Sequence, residues 1–294
     1  MENGSCQDWQ RIAPFTAGYE PESDVSPECD EREASYYQSM IGVLRWTVEL
    51  GRIDICTEVS LLASHLALPR QGHFEACLRV MAYLGAKHNT RLFLDPTYPD
   101  IDTKAFNHGA EWKEFYGEVE EAIPRNAPEP RGKGVVLRML VDSDHAGDKE
   151  TRRSRTGFFI YVNTGLITWL SKKQPTVESS VFGAEFVALK HGVEELRGLR
   201  YKLRMMGVPI LAPSYVYGDN MSVITNTSKP ESTLKKKSNS ICYHAVREAV
   251  AMGECLTAHI STHCNVADLL TKVLTGGKRR NFVSQILYDI FDPM

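Results

Sequence analysis

Apolar residues in the first third of the chain return at three- and four-residue intervals. Tyr36, Met40, Val43, Leu44 and Trp46 to Val48 form one such run, and Ile55, Val59, Leu62, Ala63 and Leu66 form a second that Pro69 ends. A third helix is predicted over about 72–84, with Phe74, Cys77, Leu78, Met81 and Tyr83 as its apolar members, followed by a short extended piece at Thr90 to Leu94. The period then changes. Residues 138–142 alternate and end among acids. The pieces 157–162 and 166–170 read as a hairpin across Asn163, Thr164 and Gly165. A helix over about 180–206, broken near Gly198, leads to a fourth strand at Tyr215 to Tyr217 and a helix opening at Asp219 or Asn220. A helix over 241–252, a fifth strand over 255–260 and a helix over 265–274 complete the order β-β-β-α-β-α-β-α. The fold class this order predicts is α/β, a mixed sheet with helices packed on it.

Between the two patterns, residues 96–133 hold prolines 96, 99, 124, 128 and 130 and end in IPRNAPEPRGKG, which reads as a proline-rich linker. Residues 1–34 mix Gly, Pro, Ser and acids with little periodicity, as a disordered or extended lead would. The division expected is therefore 1–34 lead, 35–95 helical module, 96–133 linker and 134–294 sheet domain, with loose relative placement of the two folded parts.

Composition adds constraints. The 294 residues are 43% hydrophobic and 24% charged, ordinary for a globular protein. No apolar run approaches the ~18 residues of a membrane span, and the N-terminus has no secretory pattern, so an intracellular chain, cytoplasmic or nuclear, with no membrane partner is expected. Seven cysteines, odd in number and without a C-x-x-C, read as reduced thiols. The net charge of −3 divides unevenly. Residues 1–133 carry 13 Lys and Arg against 22 acids, and the remainder 21 against 15, so the halves are −9 and +6. A basic half suits a polyanion partner.

That basic half also contains acids in unusual places. On a strand Leu140, Asp142 and Asp144 share one face, which plants a carboxylate in a core strand, and an unpartnered buried carboxylate costs several kcal/mol. Asp142 ends the first strand, Glu185 lies in the first helix, Asp219 ends the fourth strand, and Asp268 lies in the last helix. Four carboxylates brought together repel by roughly 4 kcal/mol per pair at about 4 Å, so such a cluster makes sense only with cations. Oxygen donors select Mg²⁺ or Mn²⁺, and two such ions suit phosphodiester hydrolysis. Lys172, Lys173 and the run Lys235, Lys236, Lys237 are candidate phosphate contacts, and His263, on a loop before Asp268, is a candidate proton carrier. Cys255, His259, His263 and Cys264 have no clean four-ligand zinc spacing.

The blocks VDSDHAGDKETRRSRTGFFIYV, ITWLSKKQPTVESS, GAEFVAL, VYGDNMSVI and ADLLTK resemble the ribonuclease H domain of Ty1/copia-type retrotransposon polyproteins, in order and spacing over about 140 residues. SYYQSMIGVLRW, GRIDI and HLALPRQGHFEACLRVMAYL resemble the reverse transcriptase connection segment upstream of that domain. The resemblance implies a ribonuclease H-like mixed five-stranded sheet preceded by the helical module, two-metal cleavage of the RNA strand of RNA–DNA hybrids, and a catalytic and metal-binding tetrad of Asp142, Glu185, Asp219 and Asp268. It also implies a separate reverse transcriptase polymerase domain as a candidate partner. Tyr217-Gly218-Asp219-Asn220 is not the polymerase box, having one Asp and lying in the wrong domain. Two places depart from the pattern. Where relatives read T-E-A-E-Y this chain has Phe182-Gly183-Ala184-Glu185-Phe186, and where they read K-H-I-D-I it has Lys237-Ser238-Asn239-Ser240-Ile241. The alternative implied is a catalytically inactive fragment that binds nucleic acid.

Overall fold

The computed structural model describes residues 13–234, 237–274 and 276–289. Two compact units divide the chain. One comprises residues 1–93, 148–151 and 272–294, and the other residues 94–147 and 152–271.

The first unit is helical. Helix α1 (Glu31–Glu49) begins at a capping box, in which Asp30 accepts from the Glu33 amide and Glu33 from the Asp30 amide, satisfying two donors that a helix start leaves open. Its inner positions Tyr37, Met40, Ile41, Leu44 and Val48 are buried, the stripe that the sequence spacing dictates. Helix α2 (Cys56–Leu62) is shorter than the periodic run suggested and gives way to a 3₁₀ turn, while α3 (Gln71–Ala86) has the expected extent. Strand β1 (Thr90–Leu92) finds its antiparallel partner in β7 (Leu287–Asp289), which follows helix α8 (Gly276–Ser284). Residues 276–289 thus belong to the helical unit and not to the sheet unit, because β7 supplies the hydrogen bonds that β1 lacks within its own segment. From α8, the buried Arg279 donates to Glu58 at 3.2 Å and to the Asp54 carbonyl. Burial raises the Glu58 carboxyl pKa, and the Arg279 charge opposes that rise.

The second unit is a five-stranded mixed sheet. Its strands are β2 (Leu137–Asp144), β3 (Arg155–Val162), β4 (Gly165–Lys173), β5 (Ser214–Gly218) and β6 (Cys255–His259), in the order β4-β3-β2-β5-β6. The pairs β4–β3 and β3–β2 are antiparallel, and β2–β5 and β5–β6 are parallel. Helix α5 (Val181–Met205) crosses from β4 to β5, and α6 (Met221–Ser228) and α7 (Ser240–Ala251) cross from β5 to β6. Leu137, Met139 and Val141 of β2 pack with Phe186, Leu189, Val193 and Val246, so one face of the sheet is the core beneath α5 and α7. Helix α5 runs unbroken through Gly198. Nothing lies within 4 Å of a Cβ there, and the roughly 1 kcal/mol that glycine costs a helix is outweighed by burial of Val193, Leu196 and Leu203 on either side.

Two expectations change. The predicted helix over 265–274 is a 3₁₀ turn, Val266–Leu270, because Asn265 and Thr271 are held to β2 and leave only a short span between them. Residues 96–133 do not hang free as a linker. Phe106 packs against Tyr215, Tyr217 and Ala258, and Trp112, just before α4 (Lys113–Tyr116), is buried in the sheet core. Composition cannot tell a free linker from a strap laid over a sheet, since both lack periodicity.

Candidate active site

Strands β2 and β5 are central parallel neighbours, with Val141 paired to Gly218, so the next residues, Asp142 and Asp219, lie side by side at the carboxyl ends. Glu185 comes from the second turn of α5. Ligand oxygens of Asp142, Glu185 and Asp219 all lie within 4.8 Å of one another. Asp142 is 1% exposed and Glu185 6%, while Asp219 is half-buried and gives the cluster its water-facing side.

Several side chains that periodicity does not single out build this site. Thr271 donates its hydroxyl to Asp142, and the fully buried Asn265 donates to the Val141 carbonyl at 2.9 Å, so both ends of the 3₁₀ turn are pinned to β2. Gly157, paired with Asp142 on β3, makes the approach possible. A Cβ there would stand 2.6 Å from Thr271 Cγ2 and 2.7 Å from Leu270 Cβ. His259, at the end of β6, reaches the Asp219 carbonyl at 3.2 Å through Nε2.

The fourth expected acid, Asp268, is completely buried in that turn and lies outside the group of three whose oxygens share the 4.8 Å limit. His263 is exposed in the turn after β6, its amide directed at Ser261 Oγ. Lys172 is exposed and Lys173 half-buried at the end of β4. Lys237 is exposed in the turn before α7, and Lys235 and Lys236 lie outside the described residues. Among the described residues, the three acids form the one cluster of His, Cys, Asp or Glu side chains suited to a metal ion. All their donors are carboxylate oxygens, and three such groups this close carry a repulsion that a divalent cation would remove, so the residues fit a hard divalent cation and not a thiolate or imidazole metal. The site offers a buried anionic floor and a half-buried side at Asp219.

Strand order, strand directions and the helical crossovers define an α/β protein of the ribonuclease H-like class. No protein-family model matches the chain. The chain is similar to retrovirus-related Pol polyproteins of plant transposons. They include that of transposon RE1 of Arabidopsis thaliana, 27% identical over 250 residues and 85% of this chain. That of transposon TNT 1-94 of Nicotiana tabacum is 27% identical over 242 residues and 82% of this chain. The chain spans about 15% of the length of these relatives. Among solved structures, LC11-RNase H1 in complex with an RNA/DNA hybrid is 16% identical, with a TM-score of 0.38 over 46% of this chain and 93% of that one.

Proposed function

We propose that this chain is a ribonuclease H-type endonuclease that cleaves the RNA strand of RNA–DNA hybrids, with Asp142, Glu185 and Asp219 as its catalytic, cation-binding acids. The observation that carries the reading is the convergence of these three carboxylates from three separate elements, two of them almost wholly buried. Divalent cations held there, two in the mechanism the resemblance implies, supply Lewis acidity toward water and toward the departing oxygen. The protein's own part is to hold the acids rigidly. Asp142 is fixed by Thr271, Glu185 by the packed helix α5, and Asp219 by its place beside Asp142 at the end of β5. Lys172, Lys173, Lys235, Lys236 and Lys237 are assigned to backbone phosphates, which positions a duplex without reading its bases. His263 is assigned the transfer of a proton to the departing oxygen, and Asp268 a place beside the other acids in the complex with substrate.

A second reading, a module that binds hybrid without cutting it, rests on the departures from the resembled pattern at Gly183 and at Ser238-Asn239-Ser240. A labelled RNA–DNA hybrid separates the two readings. With Mg²⁺ or Mn²⁺ the wild-type chain should cut the RNA strand. Asp219→Asn should lower cleavage by more than about 100-fold, above the cost of losing only an outer partner of a metal ligand, while binding survives because phosphate contacts carry the affinity. An intact probe bound with or without the metal would establish the binding module, and lost binding in Asp219→Asn would make Asp219 structural.

A further inference from the structure

Glu178 lies between β4 and α5 and meets three segments. Its carbonyl accepts from Nε2 of His145, in the loop leaving β2, at 3.0 Å. Its Oε2 accepts from Nδ2 of Asn239, the buried residue that precedes α7, also at 3.0 Å, and its Oε1 accepts from the Thr176 hydroxyl at 3.2 Å. The same carboxylate rests on Gly183, in the first turn of α5. A Cβ at that position would stand 2.6 Å from Glu178 Oε2 and 3.0 Å from Asn239 Nδ2. Gly183 is helical, so its backbone needs no glycine, and glycine there costs the helix about 1 kcal/mol relative to alanine. Space is what it supplies. The two places where the chain departs from the resembled pattern, Gly183 and the segment around Asn239, therefore face each other across one carboxylate. Two residues further along α5 is Glu185.

We propose that Glu178 is a positioning residue for the acid site, a role that rests on the metal-site reading above. It ties the first turn of α5 to the loop leaving β2 and to the start of α7, and so holds Glu185 against Asp142. It acts through the helix and not on substrate, and Gly183 is the gap its carboxylate requires.

The full chain and the variants Glu178→Ala, Glu178→Gln and Gly183→Ala are compared by amide hydrogen exchange over residues 182–185, by Mn²⁺ titration calorimetry, by thermal melting and by hybrid cleavage. Glu178→Ala should exchange faster there and bind Mn²⁺ about tenfold more weakly, the lower end of the cost of losing a group that orients a metal ligand. Its kcat should fall with KM unchanged. Glu178→Gln keeps an oxygen for Asn239 and should stay close to wild type. Gly183→Ala is the sharper variant. Its methyl displaces the flexible carboxylate while improving the helix, so Mn²⁺ affinity should drop with the melting temperature equal to or above wild type. A merely structural role would move both together. Unchanged exchange or unchanged Mn²⁺ affinity in Glu178→Ala overturns the proposal. A wild-type chain that binds Mn²⁺ without cutting hybrid overturns the nuclease reading alone. One that binds no Mn²⁺ overturns the metal-site reading, and with it the role in holding a metal ligand.

Discussion

Thr271 and Asp142 are 129 positions apart, yet the hydroxyl of one donates to the carboxylate of the other in a place closed to water. A hydrogen bond to a charged group contributes about 1.5–3 kcal/mol, and this one also sets where the Asp142 oxygens point. Thr271→Val keeps the volume and removes the donor, so it should weaken Mn²⁺ binding by about tenfold, while Thr271→Ser should retain the affinity. Titration calorimetry measures both, and equal affinities for all three chains would leave Thr271 no part in the site. Alternation along β2 was enough to mark Asp142, since an acid on a core strand has to be explained. Thr271 lies in the ADLLTK block, but its pairing with Asp142 was not legible, because no local pattern records a partner on another element.

At the scale of elements, the segment before the sheet is fastened to α5 by charge. Glu121 accepts from Arg200 at 2.8 and 2.7 Å, and from Arg204 at 3.1 Å through Nε as well as through its Nη2. Burial alone would raise its pKa, but the two guanidinium groups hold it near 2 against an ordinary 4.5. Because the folded value lies below the unfolded one, the ionised carboxylate stabilises the fold fully above about pH 4.5, and this contribution is lost as pH falls toward 2. Wild-type melting temperature should fall through that window. Glu121→Gln should melt lower at neutral pH and lack that part of the acid-induced decline, which parallel melts across the pH range would show. A proline-rich composition marked this segment, which carries only short helical turns such as α4, as mostly irregular. It said nothing about docking, which depends on two arginines one helical turn apart on a helix about 80 residues away.

At the scale of the whole molecule, the charge asymmetry of −9 and +6 suits a chain that offers its C-terminal half to a polyanion. Replacing Lys235, Lys236 and Lys237 together with Ala should weaken hybrid binding and lower its salt slope by up to about 3, one unit or slightly less for each phosphate no longer neutralised. Mn²⁺ affinity should be unchanged, and binding measured at several salt concentrations checks it. An unaltered slope would place the duplex elsewhere. The sequence by itself determined the elements whose cause is local: the buried stripe of α1, the alternation of β2, the hairpin of β3 and β4, and the five strands with helices between them from which the mixed sheet follows. Side-chain direction in a helix or strand repeats every few residues, so neighbours in the chain suffice to reveal it. Only the tertiary structure decided that oxygens of Asp142, Glu185 and Asp219 come within 4.8 Å of one another, that β7 pairs with β1, and that Gly183 and Asn239 meet across Glu178. Those outcomes depend on which distant segments pack together, and close packing sets such distances to within an ångström without leaving a period in the sequence.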